Sequence, residues 1–460
     1  MTQDNKKHGD RSEIFEKKSV PYAVMALALP TVLSQIVTII YNFADTWFVG
    51  RTENPDAVAA ISICMPVYII IAGLANLFGI GGSSVISRAL GEKNTDRAEK
   101  AFSFSLWTGL VVSALYSVAV LLFARKFAPV IGADANSIDY TVDYLFWAVV
   151  VGGVPTFLCT LLSHLIRSVG KSRTAAVGMA IGAALNIGFD PLFMFVLLPK
   201  GYEVVGAAVA TMLSNVISCI FFIIVILKMK DSIINLSPKK LKFEKSVCSD
   251  VLLTGFPACL STCLAMVSNM TANALISGYG TDAVAGMGVA KKVNTLAFNI
   301  NLGMTQGVLP LIGYNYSAKN YKRMKNVIYF AGGITVFLSV SFMFLYRIFS
   351  TPVISFFIKE SATVKYGSDF LRVIAFAVPL CGLTYSMNTV FQGTGKKVSS
   401  LILSVLRKGV LDIPLMYTFG RIFESPLGVV WATPVAEAIS VFVALSMFFM
   451  FLKKLKTNND

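Results

Sequence analysis

Charged residues are scarce. Asp, Glu, Lys and Arg make up 14% of the 460 residues, where a soluble domain carries about a quarter. That scarcity disfavours a soluble enzyme, a secreted disulfide module and a disordered chain. Histidine is scarcer still: His8 and His164 are the only two, too few for a His-rich metal centre. Of the seven cysteines, Cys64, Cys159, Cys219, Cys259, Cys263 and Cys381 lie in apolar runs. There a thiol behaves as a small hydrophobe, and neither a metal spacing nor a disulfide framework emerges. No Walker A sequence and no sizeable soluble domain are present, which disfavours an ATP-driven pump. No short apolar core with a small-residue cleavage site follows the polar segment Met1 to Lys18. The first apolar run is therefore expected to be a retained span.

What the chain has in abundance is apolar length. Hydrophobic residues reach 55% and mean hydropathy is +0.69. Runs such as Val20 to Tyr41 and Val204 to Leu227 exceed the ~20 residues that cross a ~30 Å hydrocarbon core. Twelve spans are expected, at 20–49, 57–86, 101–124, 138–165, 174–198, 204–228, 249–277, 283–313, 326–348, 363–391, 397–419 and 427–452. The two tails and the even-numbered loops hold 27 Lys and Arg against 8 in the odd-numbered loops. By the positive-inside rule both termini are cytoplasmic. The net charge of +15 is thus topology-setting loop charge, and no nucleic-acid partner is expected. The basic run around Lys239-Lys240, Lys242 and Lys245 reads as a solvated loop near anionic lipid.

The chain repeats itself at an offset of about 225 residues. Leu29-Pro30 through Asn42 matches Phe256-Pro257 through Asn269, and Asp56 to Ala60 matches Asp282 to Gly286. Lys93-Asn94 matches Lys319-Asn320, Gly170-Lys171 matches Gly395-Lys396, and Gly206 with Thr211 matches Gly428 with Thr433. Each half starts inside and has six spans, so the expected fold is an all-α integral membrane protein of two pseudo-symmetric six-helix bundles. The expected boundaries are an N-lobe at 1–230, with 1–18 as a cytoplasmic tail, a basic linker at 231–248 and a C-lobe at 249–460. Parallel repeats can rock about a site between them, which favours a secondary transporter.

Asn42 to Gly50, Gly79 to Ser84 with Arg88 to Asn94, Leu185 to Pro191, and Gly206 to Thr211 resemble motifs of the multidrug and toxic compound extrusion (MATE) family. The resemblance covers nearly the whole chain and points to bacterial, multidrug-type members. It implies V-shaped lobes and export of amphipathic, often cationic compounds driven by H⁺ or Na⁺.

Ionisable groups at membrane depth are functional candidates by default. Asp45 falls near the outer end of span 1. Asp190 falls ~10 Å before the outer end of span 5, with Asn186 one turn earlier on the same face. Thr211 in span 6 reaches a similar depth. Their oxygens suit Na⁺, and two close carboxylates suit a proton. The MATE resemblance implies that Asp45, Asn186, Asp190 and Thr211 form the N-lobe cation site. Pro191 is expected to kink span 5 and to serve as a hinge.

In the C-lobe, Asp412 sits near the repeat position of Asp190, one turn after Lys408, and a local ion pair is the favoured reading. Glu437 lies near mid-membrane without a partner in its own helix and is a candidate for coupling or substrate recognition. Asp412 is the second candidate for a C-lobe coupling role. Spans 7 and 10 offer Asn269, Asn273 and Asn388 in place of carboxylates. The Gly79 to Ser84 stretch and the Gly178, Gly182 and Gly303, Gly307 pairs read as close helix contacts. His164 reads as an interfacial residue near the cytoplasm. Met65, Tyr68, Met266, Met287 and Met304 are candidates for the substrate cavity, where Met and aromatic surfaces tolerate varied ligands.

The expected function is therefore an inner-membrane antiporter that acts as a monomer. It exports amphipathic or cationic small molecules in exchange for H⁺ or Na⁺ and requires no cofactor, its other contacts being with lipid. The rivals are a lipid-linked saccharide flippase with the same two halves, a channel, and an intramembrane enzyme. The last would need a nucleophile–base pair or metal spacing within the spans, and neither is visible.

Overall fold

The computed structural model describes residues 13–52, 55–229, 233–238 and 241–457. Most of the expected cytoplasmic tail, and Lys239 and Lys240 of the basic connection, lie outside the described residues. The chain is a succession of helices: α1 Val20–Val49, α2 Pro55–Gly91, α3 Thr95–Phe127, α4 Ile138–Leu145, α5 Gly153–Ser168, α6 Ser172–Leu192 and α7 Glu203–Lys228. The second series is α8 Lys245–Ser277, α9 Thr281–Ser317, α10 Tyr321–Ile348, the short α11 Ser350–Phe357, α12 Ser361–Gly393, α13 Lys397–Val405, α14 Ile413–Phe423 and α15 Pro426–Thr457. Among the described residues four segments are π-helical: Glu13–Lys17 before α1, Phe146–Val151 after α4, Phe193–Leu197 after α6, and Leu406–Asp412 between α13 and α14.

Each expected span coincides with a helix or an interrupted pair. Among the described residues, nine helices are long and apolar enough to cross a membrane, and the α4–α5 pair, bent by 45°, makes a tenth. Outside that count are α9, which carries Lys291 and Lys292, and the α13–α14 pair, which carries Arg407, Lys408 and Asp412. Their reduced hydropathy is itself informative, since buried charge in a span needs a partner or a task. The protein is an all-α, multi-pass membrane protein of twelve membrane helices in two sixfold repeats.

The repeat is visible in the backbone. Lys93 and Lys319 share the left-handed conformation, with φ of 58° and 57°. Each is followed by an Asn whose side chain caps the next helix, Asn94 accepting from the Arg97 N–H and Asn320 from the Arg323 N–H. Gly170 and Gly395 both take positive φ at the turns before α6 and α13, where a Cβ would be strained.

Two compact units divide the chain within two helices, one spanning 1–32 with 260–460 and the other 33–259. In the 33–259 unit the core gathers Phe78, Phe102, Phe157 and Phe222. The first half of α8 belongs to this unit and is joined to it by charge. Arg97 donates to Asp250 at 2.8 Å, Arg88 stands 3.1 Å from the same carboxylate, and Lys100 donates to Glu244 at 2.9 Å. In the other unit Phe370, Phe391 and Tyr346 are buried. There the Glu13–Lys17 turn docks on α9 and α10: Phe15 stacks on Tyr314 at 4.8 Å, and Arg323 donates to the Phe15 carbonyl at 2.7 Å.

The Lys100–Glu244 contact has a definite pH window. Hydrogen bonds from Ser246 and Lys100 hold the Glu244 carboxyl below its ordinary range, and hydrogen bonds to Asp96 and Glu244 raise Lys100. A lowered carboxylate contributes above its unfolded value and is lost as pH falls through its folded one, and a raised lysine contributes until pH rises through its folded one. Hydrogen exchange across 244–248, corrected for the intrinsic rate, should therefore be flat from about pH 5 to about pH 10. Loss of protection between pH 6 and 8 would contradict the pairing.

Close helix approach occurs where the glycine pattern places it. A Cβ on Gly303 or Gly307 would lie 2.8 and 2.5 Å from the Cα atoms of Val32 and Ala28, and one on Gly178 would strike the Phe222 ring. The tightest contact is between α2 and α8, where a Cβ on Gly255 would fall 1.8 Å from the Leu77 carbonyl oxygen. Because that neighbour is backbone, it cannot rotate away. Gly255→Ala should destabilise the unit by about 1–3 kcal/mol, while Gly332→Ala, at an open helical site, should leave the melting temperature in detergent unchanged or slightly raised. Equal melting of the two variants would contradict the packing.

Candidate functional site

Helices α6 and α7 bring three of the four expected N-lobe residues together. Asp190 is fully buried, and its Oδ1 accepts from Asn186 Nδ2 at 3.2 Å, one helical turn away. The same amide nitrogen reaches Thr211 Oγ1 at 3.2 Å. Two oxygens in this cluster, Asp190 Oδ2 and Asn186 Oδ1, are buried and accept no hydrogen bond. An unsatisfied buried carboxylate oxygen is costly unless a proton or a cation meets it. Asp45, half-buried on α1, lies within electrostatic range of Asp190, so a charge on either carboxyl disfavours ionisation of the other. The donor set is carboxylate, amide carbonyl and hydroxyl oxygen, hard ligands that suit Na⁺ as well as a proton. Pro191, lacking an N–H, leaves the i−4 carbonyl without its helical donor. One residue later α6 gives way to the wider π-helical Phe193–Leu197, an irregularity frequent at functional sites.

A cavity of about 100 Å³ adjoins the cluster, lined by Tyr41, Tyr68, Thr156, Asn186, Thr211 and Asn215 among others. Asn215 donates to Thr156 Oγ1 at 2.8 Å. Tyr41, Thr156 and Asn215 escape sequence reasoning, although Thr211, Asn215 and Ser218 form a polar stripe at helical spacing on α7 that signals such a wall.

The second repeat carries a counterpart at an offset of 222 residues, with Lys408, Asp412, Thr433 and Glu437 at the positions of Asn186, Asp190, Thr211 and Asn215. Asp412 is fully buried and has no oxygen to spare. Its Oδ2 accepts from Lys408 Nζ and Ser268 Oγ, both at 2.7 Å, and its Oδ1 from Thr433 Oγ1 at 3.0 Å. Glu437, without a partner on its own helix, meets Arg407 Nε at 3.3 Å and Lys408 Nζ at 4.0 Å. Arg407 in turn donates to Tyr385 Oη at 2.6 Å and lies over that ring. A lysine ammonium thus stands, in the second repeat, against the carboxylate whose first-repeat equivalent is incompletely met.

The MatE family model matches this chain twice, over residues 30–192 and 257–418. The chain belongs to the MatE family. Multidrug export protein MepA of Staphylococcus saprophyticus is 30% identical over 446 residues, covering 96% of each chain. Its namesake in Staphylococcus aureus strain MRSA252 is 29% identical, covering 97% of each. A crystal structure of MATE in the straight conformation superposes with a TM-score of 0.90 at 23% identity, over 97% of this chain and 98% of that one. An outward-facing multidrug resistance MATE family transporter gives 0.87 at 23% identity over the same shares. These likenesses carry the fold.

The remaining candidates of this MatE chain scatter. Tyr68 faces the N-terminal cavity, Met65 is 47% exposed, and Met266 is half-buried. Met287 lines a separate cavity in the second repeat, whereas Met304 is buried beside the close contact that Gly303 and Gly307 make with α1. His164 is buried, its ring against Gly79 and its Nδ1 3.4 Å from Arg167 Nη1. The absence of a Cβ at Gly79 makes the room.

Proposed function

We propose that this MatE protein is a multidrug efflux antiporter, exporting amphipathic organic compounds in exchange for H⁺ or Na⁺. The observation that carries the coupling is the unmet Asp190 oxygen in the first repeat, set against its fully met equivalent Asp412 in the second. A cation arriving at Asp190 supplies what Lys408 supplies to Asp412. It neutralises the repulsion from Asp45 and engages the Asn186 carbonyl oxygen. It moves the equilibrium between outward-open and inward-open states only by binding one of them more tightly. Export follows from reciprocity, since a cation that favours the state with low substrate affinity expels substrate. The relatives' description as multidrug export proteins supports the substrate breadth.

The test is efflux of a fluorescent amphipathic dye from proteoliposomes under separately imposed pH and Na⁺ gradients. Export under one of them, without ATP, is expected. Failure of both to move any tested compound would sink the antiporter reading.

In this reading the two six-helix lobes alternate access as a monomer in the inner membrane, with both termini cytoplasmic. In a background stripped of native cysteines, Lys359→Cys should react with an impermeant maleimide from outside, and Lys319→Cys only after the cell is opened. The reverse pattern would overturn the orientation.

A further inference from the structure

We propose that the second repeat holds a binding site for the anionic group of an amphipathic organic ligand, with Lys291 as its charged contact. This deepens the export reading by naming a substrate class, organic anions and zwitterions with an aromatic body, and it rests on that reading only for the statement that the ligand is transported.

A cavity of about 540 Å³ lies within this repeat, the size of a drug-like ligand pocket. Lys291, Lys292, Arg407 and Lys408 line it, and among the described residues that line it there is no carboxylate. Of the two acids nearby, Asp412 accepts from Lys408, and Glu437 stands 3.3 Å from Arg407 Nε as an ion pair, its two oxygens accepting no hydrogen bond. Lys291 differs from that network. Its ammonium donates only to neutral oxygens, to Asn273 Oδ1 at 2.9 Å and to the Asn269 carbonyl at 3.3 Å. Those bonds aim the ammonium and leave one of its three N–H groups for a ligand. A cation held in a span by amides alone is expensive, and an incoming carboxylate or sulfonate is the partner that offsets the cost. Asn301, 2% exposed, lines the same cavity with an Nδ2 that donates to nothing, a second donor for an oxyanion. Phe298, Ile374, Val378 and Met416 supply apolar wall for the body of such a molecule. An organic cation would instead meet like charge here.

The experiment is calorimetric titration of the protein in nanodiscs with two probes sharing one ring system, naphthalene-1-acetate and 1-naphthylmethylammonium. Empty nanodiscs supply the partition background. The wild type should bind the anion at least about tenfold tighter than the cation, the effect of one charge-assisted hydrogen bond. Lys291→Gln should lose about that factor for the anion, Lys291→Arg should keep most of it, and Lys291→Glu should reverse the preference. Equal binding of both probes by the wild type, or unchanged anion affinity in Lys291→Gln, would overturn the proposal. The titration needs no gradient. Loss of anion preference with dye export intact removes this site alone, and absence of export with the preference intact removes the antiporter reading alone.

Discussion

Asp190→Asn should abolish gradient-driven export while the protein remains folded and inserted. Asparagine keeps the shape and still meets Asn186, but it removes the titratable carboxyl whose second oxygen accepts no hydrogen bond. At one-for-one exchange with protons, each unit of pH gradient sustains about a tenfold substrate gradient, since one unit is worth about 1.4 kcal/mol. Asp190→Asn should let that ratio fall to one. Asp45→Asn should behave in the same way, and the double variant should be hardly worse than either single one, because in the proposed coupling the two carboxylates act as one site. Additive losses would mean two independent functions.

Asp412→Asn should produce the opposite phenotype, a loss of stability rather than of coupling. The carboxylate compensates Lys408, and neutralising it leaves an ammonium in a span with only Glu437 at 4.0 Å, an acid already engaged by Arg407. Breaking a buried pair by removing one partner costs about 3–5 kcal/mol, whereas replacing both by apolar groups is often neutral. Thermal unfolding in detergent should therefore show Asp412→Asn well below the wild type, and Lys408→Met with Asp412→Leu should recover much of the difference. A normally stable Asp412→Asn protein that has lost all ion coupling would move Asp412 into the coupling site.

Much of this arrangement is legible in the sequence, because it depends on short helical spacings and on the repeat. Asn186 with Asp190 and Lys408 with Asp412 are each one turn apart, and both pairs are made in the structure. The turns at Lys93 and Lys319 match in sequence and in backbone alike. The glycine pairs on α6 and α9 mark close contacts, since only small residues let backbones approach so nearly. Facing is harder to read. A membrane helix is apolar over most of its surface, so a stripe such as Thr211, Asn215 and Ser218 on α7 is the exception, and most helices do not say which side meets which neighbour. Tyr68 was thus legible as a lining residue, although nothing in α2 assigns it to the first-repeat cavity beside Asn215. Arg407 and Glu437 meet between helices 30 positions apart, beyond the reach of any local spacing. The α4–α5 bend and the π-helical segments leave no mark in a hydropathy average. Lys408 one turn before Asp412 and Asn186 one turn before Asp190 already separate the two carboxylates in the sequence, and the structure adds the count of hydrogen bonds to each oxygen.

The measurement closest to the central claim is release of bound dye on addition of H⁺ or Na⁺, followed by fluorescence polarisation in nanodiscs. No membrane potential or leak enters that readout, and binding alone is compared across variants. The wild type should release dye as the coupling cation is added. Asp45→Asn and Asp190→Asn should bind dye and hold it at every cation concentration, and Lys359→Ala should behave as the wild type. If both aspartate variants release dye as the wild type does, the first-repeat cluster is structural and the coupling cation binds elsewhere.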